Sequence, residues 1–339
     1  MKKIAVLGLG HGLNDCIAGY VLGSLVSMQI PLSEAGFSIL VYNIIAFGGQ
    51  MAFAVLAKQK PYPRFWLLSC YLMLAASLLL LHINYQSAVL LVAFSSMIIH
   101  VVGGHESSSE EGKAAGLGIF AAPGVLGLIL GGYFSFVHFN FLPAGITGCI
   151  LLAAAAFFLR FTRQEKEPSK STTPFDQHDL LMILLLTVIA LRSAIWDVFQ
   201  LLYEHKQEVL LPVAFAAMAG KLAGGFIGDR IGHRRHSLFA LGLSLPFLSF
   251  AKQNIPLLCT GIFLLQSSFP SLSRLMIDHF RRDRHMGAAF TFGLPIVLGA
   301  VLFYTPLKSF GTSTVSIVLL HLLCILLLAA GMRKKTLRG

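Results

Sequence analysis

Long apolar runs alternate with short polar segments along the whole chain of 339 residues. A helix of about twenty apolar residues crosses the ~30 Å hydrocarbon core of a bilayer. The pattern therefore predicts an all-α membrane protein in which spanning helices follow one another with short loops. We place twelve spans, near residues 4–28, 34–57, 65–83, 86–104, 114–138, 141–160, 179–203, 208–228, 237–251, 255–273, 287–306 and 312–332.

The composition favours a membrane protein over a water-soluble one. Hydrophobic residues make up 56% of the chain and charged residues only 12%, whereas about a quarter of the residues in a typical soluble domain are charged. The cysteines stand singly within apolar runs, without the paired spacing of a metal site or a disulfide framework. We expect no cofactor and no enzyme activity, because the sequence lacks hydrolase, zinc-protease and nucleotide-loop motifs.

The basic residues predict the orientation of the spans. The net charge is +11, and the Lys and Arg residues of the loops collect in alternate loops and at both termini, while the other loops hold only Lys206, Lys252 and Lys308. Because cytoplasmic loops are enriched in Lys and Arg, both termini are predicted to be cytoplasmic. We expect a multi-pass protein of the bacterial cytoplasmic (inner) membrane, with the lipid bilayer rather than nucleic acid accounting for its positive charge.

The two halves of the chain resemble each other at one constant shift. Pro123-Gly-Val-Leu-Gly127 corresponds to Pro295-Ile-Val-Leu-Gly299, and Ser95-Ser96 corresponds to Ser267-Ser268. Parallel repeats of six helices are the layout of major facilitator transporters. The sequence therefore predicts an N-terminal six-helix bundle (1–160), a cytoplasmic linker (161–178) and a C-terminal six-helix bundle (179–339).

Ionisable and other polar side chains within the spans concentrate in spans 1, 4, 7 and 10. A charge within the bilayer is costly, so each such residue is a candidate for function. His11 and Asp15 are four residues apart and share a helix face. The candidates are His11, Asn14 and Asp15 in span 1, His100 in span 4 with His105 and Glu106 at its end, Arg192 and Asp197 in span 7, and Gln266 and Arg274 in span 10.

Two interpretations of these residues stay open. In the first, Asp15 forms a neutralising ion pair with Arg192 or Arg274, and His11 and His100 are hydrogen-bonded packing residues between helices. In the second, His11 and Asp15 form a proton-relay or substrate site, because histidine titrates near neutral pH and a neighbouring carboxylate tunes it.

The loop between spans 8 and 9 reads Gly225-Phe-Ile-Gly-Asp229-Arg230-Ile-Gly232-His-Arg234-Arg235. It resembles the major facilitator signature glycine-x-leucine-x-aspartate-arginine-x-glycine-arginine-arginine. The resemblance implies a central cavity lined by spans 1, 4, 7 and 10. It also implies a gate that closes the cytoplasmic side in one state, formed by Asp229, Arg230, Gly232, Arg234 and Arg235.

Two further segments resemble fosmidomycin-resistance-type transporters. Gly10-His-Gly-Leu-Asn-Asp15 is similar to their His-x-x-Asn-Asp opening. Gly104-His-Glu-Ser-Ser108, followed by the glycine-rich segment 116–127, is similar to their His-Pro-Glu-Ser-Ser stretch and fifth span, although the proline is missing here. This resemblance implies a proton-driven exporter with His11, Asp15, His105 and Glu106 as its polar centre.

Three functions follow as alternatives. The first is a monomeric secondary transporter, an antiporter that exports a small organic compound in a proton-coupled alternating-access cycle. The second is a divalent metal transporter with nitrogen and oxygen ligands from His11, Asp15, His105 and Glu106. The third is a scaffold or sensor built on a transporter fold, since a fold does not fix a function.

Overall fold

The computed structural model describes residues 1–109, 112–161, 177–202, 207–251, 254–280, 283–300 and 313–333. These residues form helices joined by short connections, with no strand among them. The helices are α1 (Lys2–Ser27), α2 (Leu32–Asn43), α3 (Gln50–Gln59), α4 (Pro63–Leu80), α5 (Tyr85–Ser107), α6 (Ala115–Phe136), α7 (Leu142–Phe158), α8 (Gln177–Leu202), α9 (Gln207–Ile231), α10 (His233–Ser249), α11 (Ile255–Ile277), α12 (Arg284–Phe292), α13 (Leu294–Ala300) and α14 (Thr314–Arg333).

The protein is a multi-pass membrane protein. Within the described residues, 8 helices are long and apolar enough to cross a membrane, or 9 if the bent pair of α2 and α3 is counted as one span. Helices also occupy the remaining predicted spans, but α7 and α10 are shorter and α12 and α13 are separated by a break. The count of twelve spans and the cytoplasmic position of the termini therefore stay predictions.

Two predicted spans are interrupted in a way that the apolar pattern did not indicate. A π-helical turn, Ile44–Gly48, lies between α2 and α3, which are bent by 41°. The break between α12 and α13 falls at Gly293, and a Cβ atom there would lie 2.6 Å from the carbonyl oxygen of Phe47. Irregular backbone at membrane depth is tolerated where it is buried in protein or lines a cavity, and these two interruptions meet each other beside the cavity described below.

Helices α1 and α6 are packed closely along much of their length. A methyl group at Gly127 would overlap the carbonyl oxygen of Gly12, and one at Gly131 would overlap that of Cys16. Small residues allow such close approach between membrane helices, where dispersion rather than the hydrophobic effect drives association. The polar residues of α1 are consequently held directly against α6.

The buried apolar residues form two clusters. One is drawn mainly from the first half of the chain, between Ile4 and Ala156, and the other mainly from the second half, between Leu185 and Leu328. Phe292 of the second half belongs to the first cluster, which shows that the halves are in direct contact. The division into two bundles stays a prediction, and most of the predicted linker, residues 162–176, lies outside the described residues.

A central polar cavity as the candidate functional site

A cavity of about 570 Å³ lies between the two halves of the chain. Spans 1, 4, 7 and 10 contribute to it as expected, and helices α2, α6, α9, α12 and α13 also line it. Six of the ten predicted substrate or proton-coupling residues face this space, namely His11, Asp15, His100, Arg192, Asp197 and Gln266. The other four, Asn14, His105, Glu106 and Arg274, do not line it.

His11, Asp15 and His100 form one cluster at the first-half wall of the cavity. The Nε2 atom of His11 lies 3.1 Å from Oδ2 of Asp15 and 3.1 Å from Nε2 of His100. A ligand atom from each of the three residues lies within 4.8 Å of the others. His100 was a candidate in its own right, but nothing in the spacing of residues joined it to the pair on α1.

Backbone carbonyl groups fix the hydrogen on each histidine ring. The Nδ1 atom of His11 lies 2.9 Å from the carbonyl oxygen of Phe120, and Nδ1 of His100 lies 2.6 Å from that of Ser96. Because a carbonyl oxygen only accepts, both Nδ1 atoms donate, and each neutral ring turns an Nε2 lone pair to the other ring. Two lone pairs and a carboxylate therefore converge, and a hydrogen bond between the rings requires an additional proton.

Asn14 positions this cluster from the side that faces away from the cavity. Its Nδ2 group donates to Oδ1 of Asp15 at 2.9 Å and to Oγ of Ser96 at 2.9 Å, and its own Oδ1 accepts from Ser95 at 3.0 Å. The Tyr42 hydroxyl lies 3.1 Å from Oγ of Ser96. Asn14 is therefore a positioning residue, which holds the Asp15 carboxylate in one orientation.

The second-half wall of the cavity carries two cations beside one aromatic ring. Arg192 donates to the Gln266 side chain, and its Cζ atom lies 5.0 Å from the centre of the Phe269 ring. The Nζ atom of Lys221 also lies 5.0 Å from this centre. Lys221 was not among the predicted site residues, although a lysine in an otherwise apolar span was a usable signal.

His105 and Glu106 lie apart from the cluster of His11, Asp15 and His100, and a polar centre made of all four predicted residues stays a prediction. Glu106 accepts a hydrogen bond from Lys3 at 2.6 Å, and the His105 ring stacks on His285 with 4.0 Å between ring centres. The reason is helix geometry. His105 is five residues beyond His100 on α5, which is roughly 7.5 Å along the axis and on another face.

The alternative ion pairs of Asp15 do not form either. Arg274 pairs with Asp278, one turn further along the chain, and donates to the carbonyl oxygen of Ser108 at 3.2 Å. No ion pair between described residues joins Asp15 to Arg192 or Arg274. Asp15 therefore depends on His11 and Asn14 for its nearest polar contacts.

Asp229 connects the two halves at the end where the basic loops gather, which we call the predicted cytoplasmic end. Its carboxylate accepts hydrogen bonds from the backbone N–H groups of Ala114 at 2.6 Å and Ala115 at 3.1 Å, at the start of α6. The first N–H groups of a helix have no partner within the helix and favour an anion. A Cβ atom at Gly225 would lie 2.8 Å from Cα of Ala115, so glycine allows this contact.

The other residues of the predicted gating loop have different surroundings. Gly232 has φ of 91°, a conformation that favours glycine, and it separates α9 from α10. Arg230 and Arg235 are exposed, and Arg234 lines a pocket within the second half beside His279. His233, which replaces an arginine of the signature, lies with Nε2 2.7 Å from the carbonyl oxygen of Gly112 in the first half.

Further polar contacts join the halves at this end. Lys58 pairs with Asp283 at 2.8 Å, and Arg284 donates to the carbonyl oxygen of Ser109 at 3.2 Å. Lys58 belongs to the first-half loop that corresponds to the signature loop but lacks its aspartate. In this structure the predicted cytoplasmic end is therefore held closed by contacts from both loops.

Comparison with solved structures places this arrangement among known folds. A variant of the E. coli fucose:proton symporter FucP is similar over 98% of this chain and 98% of its own, with a TM-score of 0.72 and 13% sequence identity. A structure of the major facilitator superfamily transporter FucP in the outward conformation is similar over 96% of this chain and 98% of its own, with a TM-score of 0.69 and 12% identity.

The chain has the major facilitator fold. No family model and no curated protein sequence matches the chain. The narrower resemblance to fosmidomycin-resistance-type transporters therefore stays a prediction.

The contact between Asp229 and α6 predicts a local change on mutation. In Asp229→Ala, the amides of Ala114 and Ala115 should exchange with deuterium roughly tenfold to a hundredfold faster, since a hydrogen bond to a charged group contributes about 1.5–3 kcal/mol. Asp229→Asn, which keeps an acceptor oxygen, should have an intermediate effect. Hydrogen–deuterium exchange of the full chain measures this, and unchanged exchange in Asp229→Ala would contradict the gate contact.

Proposed function

We propose that this protein is a secondary active transporter that exports a small organic compound in a proton-coupled, alternating-access cycle. The observation that carries the proposal is the cluster of His11, Asp15 and His100, which faces a cavity between the two halves. The major facilitator fold supports transport as the class of function. Export by antiport is proposed from the sequence resemblance, and a monomeric state and the bacterial cytoplasmic membrane are proposed from the sequence alone.

The proton site follows from hydrogen-bond chemistry. The two Nε2 atoms lie 3.1 Å apart with their lone pairs facing each other, and the Asp15 carboxylate faces the same point. One added proton converts this repulsive contact into a hydrogen bond and gives the carboxylate a cationic partner. Loading and loss of one proton therefore change the charge at the cavity wall, which is the differential interaction that a proton-driven shift between states requires.

The closed predicted cytoplasmic end favours an outward-facing state. The hydrogen bonds that join described residues of the two halves run from the cavity region, where Lys221 donates to the Ala121 carbonyl oxygen at 3.4 Å, to the Lys58–Asp283 pair at that end. In such a state the cavity exchanges protons and substrate with the outside. Opening of the cavity to the cytoplasm would require the Asp229 contacts with α6 to break.

Gly124 leaves room beside the proposed proton site. A Cβ atom there would lie 2.6 Å from Oδ2 of Asp15 and 2.6 Å from Nε2 of His11. Alanine at this position would therefore press on both groups, and overpacking of this kind costs about 1–3 kcal/mol. Gly132 lies two turns further along α6, and a methyl group added there would meet no atom within 4 Å, so it supplies a matched control.

We predict that Asp15→Asn abolishes proton coupling. The substrate would first be identified by growth of a deletion strain against a compound panel, and substrate-driven proton flux would then be measured in proteoliposomes. Gly124→Ala should slow this flux, whereas Gly132→Ala should not. Unaltered coupling in Asp15→Asn would contradict the proposed proton site, and the absence of any protein-dependent flux would favour the scaffold or sensor alternative.

A divalent metal transporter is the second candidate, with His100 in place of His105 and Glu106. Two donors about 2.1 Å from a tetrahedral zinc ion are roughly 3.4 Å apart, and the His11–His100 and His11–Asp15 contacts are both 3.1 Å. The carbonyl oxygens that bind each Nδ1–H also resemble the outer contacts that orient histidine ligands. The same three groups can therefore accept a metal ion instead of a proton.

Zinc binding to the purified protein distinguishes this candidate. If the cluster binds metal, isothermal titration with Zn²⁺ should give a site that His100→Ala weakens by roughly tenfold or more, because a ligand is lost. His105→Ala should leave the affinity unchanged, since His105 lies outside the cluster. Absence of binding in the wild type, or equal loss in both variants, would exclude a metal ion at these three residues.

A further inference from the structure

Lys221 and Arg192 reach the cavity from different helices and approach the same ring. Lys221 is on α9 and Arg192 is on α8, and their cationic groups each lie 5.0 Å from the centre of Phe269 on α11. Attraction between a cation and an aromatic face contributes about 0.5–2 kcal/mol. This is small beside the cost of a charge at membrane depth, so the ring alone does not account for two cations here.

Neither cation makes an ion pair with a carboxylate among the described residues. None of the ion pairs between residues that the structure describes involves Arg192 or Lys221. Within the described part of the chain, Lys221 donates only to the Ala121 carbonyl oxygen, at 3.4 Å. Arg192 donates through Nε to the Leu265 carbonyl oxygen and through Nη2 to the Gln266 side chain, so Nη1 keeps its donors for another group.

The formal charges of the second-half wall do not balance on that wall alone. Asp15 is held by His11 and Asn14 on the opposite wall. Asp197 lines the same cavity as the two cations but makes no ion pair with a described residue. By formal charge, the second-half wall thus has two cationic groups and one carboxylate, and Asp15, the other carboxylate of the cavity, is on the opposite wall. One anionic group bound at the second-half wall would balance that wall without Asp15. The titratable and charged groups that line the cavity are His11, Asp15, His100, Arg192, Asp197 and Lys221.

We propose that this wall binds the carboxylate of a small monoanionic organic acid between Arg192 and Lys221. The site adds the class of substrate to the transport function proposed above. That the bound acid is the transported compound rests on that function, whereas binding of the acid does not. Buried ions in a membrane protein are normally paired, and the ligand carboxylate would supply the missing partner.

The rest of the cavity favours an apolar body on this acid. Phe47, Phe269, Phe292 and Val125 line the same space, with Trp196 beside them. The volume of about 570 Å³ lies in the usual range for small-molecule sites, ~300–1,000 Å³. A monocarboxylate with an aliphatic or single-ring body would therefore place its charge on the two cations and its apolar surface on the aromatic residues.

Tryptophan fluorescence gives a direct binding assay. The chain has 2 tryptophans, and Trp196 lines the cavity, whereas Trp66 bonds to the carbonyl oxygen of Lys60 at the predicted cytoplasmic end. In full-length Trp66→Phe, emission reports on Trp196 alone. The probes are benzoate and hexanoate, each compared with its neutral amide. We expect saturable changes with the two acids and none with benzamide or hexanamide at the same concentrations.

Charge-removing variants identify the site. In the Trp66→Phe background, Lys221→Met and Arg192→Gln should each weaken acid binding by roughly tenfold, the loss expected for one charge-assisted hydrogen bond. Lys2→Met removes a charge from an exposed position and should change the affinity less than about twofold. Size-exclusion elution and the emission maximum of Trp196 show whether a variant is folded, and the Lys221 variant tests the site even if Arg192→Gln is unstable.

The proposal is overturned if neither acid binds, if amides bind as well as acids, or if both charge-removing variants bind like the wild type. Equilibrium binding does not require transport. Acid binding without flux in vesicles would therefore contradict the transport function and support the anion site. Flux of a neutral or cationic compound without acid binding would support the transport function and contradict the anion site.

Discussion

Three hydrogen-bond acceptors converge within a membrane-embedded cavity, and this constraint governs the rest of the site. The Nδ1–H groups of His11 and His100 are committed to backbone carbonyl oxygens, so both Nε2 lone pairs face each other and the Asp15 carboxylate. Polar groups left unsatisfied away from water are costly. A proton or a metal ion bound between these acceptors removes the repulsion between them. Its presence also changes the charge of the cavity wall that faces the second half of the protein.

Helix α6 connects this cluster to the closed end of the protein. Its first N–H groups are bound by Asp229 of the second half, its Phe120 carbonyl oxygen accepts from His11, and Gly124 lies beside Asp15. One helix therefore makes contacts both with Asp229 at the predicted cytoplasmic end and with the cluster at the cavity wall.

The sequence predicted the helical membrane fold well, because apolar runs of bilayer length report it directly. The sparse ionisable and polar residues within the spans identified six cavity residues, because such groups are costly in the bilayer. Contacts between helices that are distant in the chain could not be predicted from the sequence, because residue spacing relates side chains on one helix only. His100 was therefore not joined to His11, and His105 was placed with Asp15 although α5 carries it to another level. Lys221 was passed over because its span has few other polar residues, and the breaks at Ile44–Gly48 and Gly293 occur within uninterrupted apolar pattern.

Histidine-selective ¹⁵N nuclear magnetic resonance of the metal-free full-length protein in lipid nanodiscs tests the central claim most directly. Signals of His11 and His100 can be assigned with His11→Asn and His100→Asn. The account predicts a hydrogen on Nδ1 of both rings and, when the cluster is loaded, one further proton shared between their Nε2 atoms. A spectrum in which either ring carries its hydrogen on Nε2 with Nδ1 unprotonated would contradict it.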